Sequence, residues 1–131
     1  METTRLIIRR FAESDASDLY AYLSLPETYR FEPGKPITMD EAKKMARERE
    51  TSDCFFAVAL KATGAVIGHL YFEEHESPEE GTWELGYIFN PAYMNRGYCT
   101  EAAGRIIEYA FGTRGARRVV AGCNALNPAS W

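Results

Sequence analysis

The sequence predicts an α+β fold: a mixed, mostly antiparallel twisted sheet with helices on both faces, in the order β-α-α-β-β-β-α-β. Three observations carry this. Three hydrophobic runs follow one another over residues 54–89 with only turn segments between them, the pattern of an antiparallel meander. A helical stripe ending at Phe111 then separates the meander from a last apolar run at 117–124. That strand–helix–strand unit implies a parallel pair, because parallel strands need a crossover. Two segments of helical character precede the meander, after one short opening strand.

Taken in order, residues 4–11 (TRLIIRRF) read as the opening strand. Residues 12–24 read as a helix with Ser14 at its N-cap. Pro26, Pro33, Gly34 and Pro36 break the chain into a loop. Residues 38–50 form a second helix, opened by a T-x-x-E capping box from Thr38 to Glu41. The strands at 54–60 and 65–73 flank Lys61-Ala62-Thr63-Gly64, a hairpin signal. An acidic turn with Pro78 and Gly81 leads to the strand at 82–89, which Pro91 closes. The following helix places Ala103, Ile106, Ile107, Ala110 and Phe111 on one face, with Gly112 as its C-cap.

The chain's 131 residues suit a single domain with one core. A formal net charge of -4 argues against nucleic acid, which selects a basic face. No apolar run is long enough to span a membrane, and no long apolar segment follows the first charges as in a signal peptide. Cys54, Cys99 and Cys123 are odd in number, far apart and without zinc spacing, which fits a reducing, cytoplasmic compartment. Cys99 reads as a small buried hydrophobe rather than a nucleophile. His69 and His75 make no ligand set with the cysteines, so no metal is expected.

Between the strand at 82–89 and the helix lies Asn95-Arg96-Gly97-Tyr98-Cys99-Thr100. This segment brings backbone N–H groups to a helix N-terminus, where the dipole favours anions. Gly97 permits a positive φ or a close approach, and Arg96 adds positive charge. A phosphate fits these features, although an ordinary strand-to-helix turn reads similarly. Neither phosphate-loop glycine pattern, G-x-x-x-x-G-K-[ST] or G-x-G-x-x-G, is present. In the preceding strand Trp83, Leu85, Tyr87 and Phe89 alternate with Glu84, Gly86 and Ile88. A glycine inside such a strand points to a bulge or a close backbone approach. Glu84 is the lone carboxylate of that strand.

The stretch WELGYIFNPAYMNRGYCTEAAGRIIEYAF resembles the central motif of the GNAT acetyltransferase superfamily, in its RimJ/RimL-like group. TRLIIRRFAESDASDLYAYL resembles that group's opening strand and helix, and CNALNPASW its Asn-x-x-Ser segment at Asn127 and Ser130. The superfamily loop pattern Q/R-x-x-G-x-G/A falls on Met94 to Cys99. Met94 and Cys99 depart from it, but a grip made through backbone amides tolerates both.

The resemblance implies direct transfer of an acetyl group from acetyl-CoA to a primary amine, of a protein N-terminus or a small molecule. It implies that residues 95–100 hold the pyrophosphate, that Ile88 and Phe89 pair with the pantetheine arm, and that Asn127 contacts the cofactor. An amide N–H near the irregularity in that strand would stabilise the developing oxyanion. An α-amine with a pKa of roughly 8 is on the order of 10% neutral at pH 7, so a weak base suffices. Glu84, acting through water, is the candidate base, and Ser130 the donor to the leaving thiolate. Tyr29 and Phe31 line an amine pocket or pack the loop. The acidic stretch of Glu73, Glu74, Glu76, Glu79 and Glu80 attracts a basic peptide or polyamine, or is a solvated loop.

Members of the superfamily continue beyond the Asn-x-x-Ser segment, so the resemblance also implies a chain lacking its C-terminal strands. The strand at 117–124 would then be an open edge able to pair with a second copy as a homodimer. A non-catalytic acyl-CoA-binding module is the alternative reading for such a chain.

Overall fold

The computed structural model of the chain describes residues 1–29, 34–74 and 81–121. Phe31, Asn127 and Ser130, the acidic segment 75–80, and Cys123 lie outside the described residues.

Five strands form one sheet in which chain order and sheet order coincide. β1 (Leu6–Arg9), β2 (Phe55–Leu60), β3 (Val66–Glu74) and β4 (Thr82–Phe89) run antiparallel to their neighbours, and β5 (Arg118–Ala121) runs parallel to β4. Helices α1 (Ala16–Leu23) and α2 (Met39–Arg49) join β1 to β2, and α3 (Tyr98–Gly112) makes the β4–β5 crossover.

The alternation of strand side chains divides the interior into two layers. Leu6, Ile8, Leu70, Phe72, Leu85 and Phe89 pack with Ala102, Ile106 and Ala110 of α3. On the opposite face Leu19, Tyr22 and Leu23 of α1 and Ala42 and Ala46 of α2 pack with Ala57, Ala59 and Val66. The predicted fold class, mixed sheet and element order are therefore observed.

Local differences have local causes. The Thr38 capping box forms: its Oγ1 accepts from the Glu41 N–H at 3.2 Å, and Glu41 accepts from the Thr38 N–H at 3.0 Å. Ser14 caps nothing, because a 3₁₀ turn (Glu13–Asp15) delays α1 to Ala16. Asp15 governs this corner instead. Its carboxylate accepts from the Ala12 N–H at 2.7 Å and from both Arg9 Nη atoms, at 2.8 and 2.9 Å. A planar guanidinium fork holds a carboxylate more firmly than a serine holds an amide. At its far end α3 includes Gly112, and Thr113 takes the C-cap.

The buried stripe of α3 is Cys99, Ala102, Ile106 and Ala110, with Ala103 and Ile107 at its flank. Phe111 lies one helical step off that stripe and is exposed.

The irregularity expected in the strand carrying Gly86 falls elsewhere. β4 pairs with β3 in unbroken register from Trp83↔Glu74 to Phe89↔Gly68. The bulge is in β3, where the β2 register shifts between Val58 and Ala59 and leaves Ile67 with no residue opposite it on β2. The tight approach is also in β3: a Cβ on Gly68 would lie 2.7 Å from the Phe89 ring and 2.8 Å from the Ile88 carbonyl oxygen. At Gly86 the nearest contact would be an ordinary 3.7 Å to Tyr71.

Candidate functional site

Where β4 ends, the chain makes a 3₁₀ turn (Pro91–Tyr93) and enters α3. Asn90 initiates the turn, its side chain accepting from the Ala92 N–H at 2.9 Å, while Pro91 supplies a preset φ and needs no hydrogen bond. Asn95 and Gly97 then adopt left-handed conformations, with φ of 64° and 81°. Asparagine tolerates this region better than most residues, and glycine occupies it freely. Gly97 is the N-cap of α3, so no side chain caps the helix. An α-helix leaves its first N–H groups without acceptors inside the helix, here those of Tyr98, Cys99 and Thr100. A shallow recess at this point is lined by Phe89, Tyr93, Asn95, Gly97, Tyr98 and Cys99. Five residues singled out from the sequence thus meet at one place. Arg96 and Thr100 are exposed beside it.

Arg5, on the approach to β1, fastens the loop. Its Nε donates to Glu101 at 2.8 Å, its Nη1 donates to the Arg96 carbonyl at 3.0 Å, and its guanidinium lies 4.4 Å from the centre of the Tyr98 ring. The Arg5 N–H and the Thr3 hydroxyl also donate to Glu101. Partial burial opposes the Glu101 charge, but these donors outweigh it and hold the carboxyl below its ordinary pKa. The pairing offsets a negative charge that would otherwise face an incoming anion. It also turns the Arg96 carbonyl toward Arg5. Sequence reading missed Arg5, since 96 positions separate it from Glu101.

Three hydrogen bonds fix which edge of β4 each residue presents. The Asn90 N–H donates to Ile67 of β3, and the Gly81 carbonyl accepts from Arg117 and Arg118 on the β5 side. By alternation the backbone groups of Tyr87 and Phe89 point away from β3, and those of Ile88 point toward it. β5 pairs only with Thr82–Leu85 among the described residues. The edge beyond Leu85 therefore belongs to Tyr87 and Phe89, and Ile88 pairs with His69 instead.

The Glu84 side chain is on the other face of β4 and exposed. Across the sheet it sits opposite Glu73. The Tyr71 hydroxyl donates to Glu73, and this bond, helped by burial, pushes the tyrosine up to about 12. Glu84 precedes Phe89 by about 17 Å of extended strand. Tyr29 packs into the α1–α2 layer, and its hydroxyl donates to the Leu23 carbonyl at 2.8 Å. Cys99 is buried in the α3 layer, as a small hydrophobe would be. Among the described residues no group of three or more His, Cys, Asp or Glu side chains has metal-binding geometry, and no helix is long and apolar enough to cross a membrane.

A family model described as "Acetyltransferase (GNAT) domain" matches residues 5–131. This chain belongs to the GNAT acetyltransferase family. It is 34% identical over 130 residues to the N-acetyltransferase YnaD of Bacillus subtilis (strain 168), covering 98% of this chain and 75% of YnaD. The crystal structure of a GNAT-family acetyltransferase from Bacillus anthracis superposes with a TM-score of 0.88 at 28% identity, covering 97% of this chain and 75% of that one. A spermidine N-acetyltransferase SpeG chimera involving Vibrio cholerae shares the fold at a TM-score of 0.70 and 15% identity, over 90% of this chain and 70% of that one. The chain is thus an acetyltransferase, and acetyl-CoA is the donor general to its family.

Proposed function

We propose that this GNAT acetyltransferase moves an acetyl group from acetyl-CoA directly to a primary amine, of a protein N-terminus or a small molecule, in the manner of the RimJ/RimL-like group. The observation that carries the reading is the left-handed Gly97 N-cap of α3, next to the β4 edge that β5 leaves after Leu85. The backbone amides of residues 95–100 are the pyrophosphate site, with Arg96 adding charge. Tyr87 and Phe89 present backbone groups to the pantetheine arm, which extends the sheet as a strand would. Ile88, which the family resemblance implies for that pairing, is left out of it because its backbone groups point to β3, where it pairs with His69. The close approach at Gly97 supports the reading: a Cβ there would lie 3.3 Å from Nη2 of Arg5, the residue that fastens this loop.

Glu84 takes the amine proton through water. Its place on the α1–α2 face of β4 supports this, because an acceptor approaching from that face reaches β4 on the side away from α3. The test is thiol release from acetyl-CoA with a panel of primary amines, as a function of pH. Glu84→Gln is expected to lower kcat/KM by about 100-fold, with the largest loss at low pH. An unchanged pH–rate profile removes Glu84 from the mechanism. Asn127 and Ser130 keep the roles that the family resemblance implies, cofactor contact and proton donation to the thiolate.

A further inference from the structure

Among the described residues one arginine holds a buried guanidinium nitrogen that no hydrogen bond satisfies. Arg49, at the end of α2, lies with its guanidinium 3.9 Å from the centre of the Phe55 ring and 5.4 Å from that of Phe11. Its Nη1 is buried and has no hydrogen-bond partner. It enters none of the ion pairs among the described residues, although Arg5, Arg9, Arg10 and Arg47 each do. A buried donor left unmade is costly, and such groups are rare in native proteins.

Arg49 also lines an open groove of about 510 Å³ with Met45, Ser52, Phe55 and two carboxylates, Glu41, which accepts from the Thr38 N–H, and Glu48. The other basic residue there, Lys44, is paired with Glu48 at 3.9 Å. From the groove an aromatic floor runs to the proposed reaction centre. The Phe55 and Tyr71 rings are 5.1 Å apart, and Tyr71 faces Gly86 on β4, where the absence of a side chain keeps the surface low. Glu84 is next on the same face of β4. Two inter-strand steps separate Phe55 from Gly86, about 10 Å.

We infer that Arg49, over Phe55, anchors a carboxylate on the acceptor while the primary amine sits over Gly86, so that the preferred substrate carries the two groups about 10 Å apart. The inference rests on the acetyl-transfer reading above and names its acceptor class. Three extended residues span that distance. The anion is either the free C-terminus of a tripeptide or an acidic side chain at the third position of a longer chain.

Calorimetry with three peptides, each with and without coenzyme A, tests the inference. These are Ser-Ala-Ala as the free acid, Ser-Ala-Ala as the amide, and Ser-Ala-Asp-Ala as the amide. At least one carboxylate-bearing peptide is expected to bind about 10-fold or more tightly than the plain amide. Which of the two does so identifies the source of the carboxylate. Arg49→Gln is expected to erase the difference, and Arg49→Lys to keep part of it. Equal affinities in the wild-type chain, no binding of any peptide, or a preference that survives Arg49→Gln overturns the assignment. The wild-type comparison needs no variant to fold. Titration of the same samples with acetyl-CoA alone reports separately on the acetyl-transfer reading.

Discussion

Gly97 is the residue on which the proposed donor site turns. Its φ of 81° lies where a side chain costs about 1–2 kcal/mol. Gly97→Ala is therefore expected to lower Tm by a few degrees and to weaken acetyl-CoA binding, because the added Cβ meets Arg5 and the strain falls on the loop itself. A variant with wild-type Tm and wild-type affinity would show that neither the turn nor the recess needs glycine. Gly97 was legible in the sequence because its task is local: a strand end, a turn and a helix start lie within a few residues. Gly68 was not. The feature that excludes a side chain there is the Phe89 ring on the neighbouring strand, which is met only once register is known. Gly86 looked the more telling glycine and proved the less constrained.

At the scale of elements, the same division holds. The Thr38 capping box spans three residues and formed as read. The Asp15 corner was misread as a Ser14 cap because its decisive partner, Arg9, belongs to the preceding strand. The corner links β1 to α1, so it has a measurable weight. Burial opposes the Asp15 charge, but Arg9 and the Ala12 N–H outweigh it and leave the carboxyl below its usual range. A depressed carboxyl stabilises the fold above its unfolded pKa of about 3.9, and that contribution is lost as pH falls through the folded value. Asp15→Asn is expected to cost about 2–3 kcal/mol at neutral pH and to flatten the stability curve below pH 4 in urea titrations. The Arg5 anchor of the α3 loop was hidden for the same reason as Arg9. Two elements far apart in the chain had to be neighbours before the pair could be seen.

The whole molecule is a sheet with a different layer on each face, and each layer serves one proposed substrate. The α3 layer carries the donor recess. The α1–α2 layer carries the Arg49 groove and, at its centre, a buried histidine. The His69 Nδ1 is 2.6 Å from the Tyr22 hydroxyl, with Phe11 and Phe55 beside the ring. Burial first, and the nearby Arg49 charge second, push its pKa well below the ordinary value, so it is neutral in the folded protein. Below pH 6.5 the unfolded chain takes up a proton that the folded chain refuses. Stability is therefore expected to fall as pH drops from 7 to 5, by up to about 1.4 kcal/mol per unit from this group alone. Thermal melts across that range check it, and a His69→Gln variant should lose most of the slope. The layered architecture was readable because strand alternation and helical periodicity are properties of the chain. The buried Tyr22–His69 pair and the unpaired Arg49 were not, since they arise from how α1 and α2 lie across β2 and β3.

Acetyl transfer by this chain requires that the Gly97 end of α3 and the outer edge of β4 form a coenzyme A site. Calorimetric titration of the 131-residue chain with acetyl-CoA tests it most directly. Saturable one-to-one binding that weakens in Gly97→Ala is expected. No binding to a chain that melts cooperatively, or binding of equal strength in the variant, would contradict it.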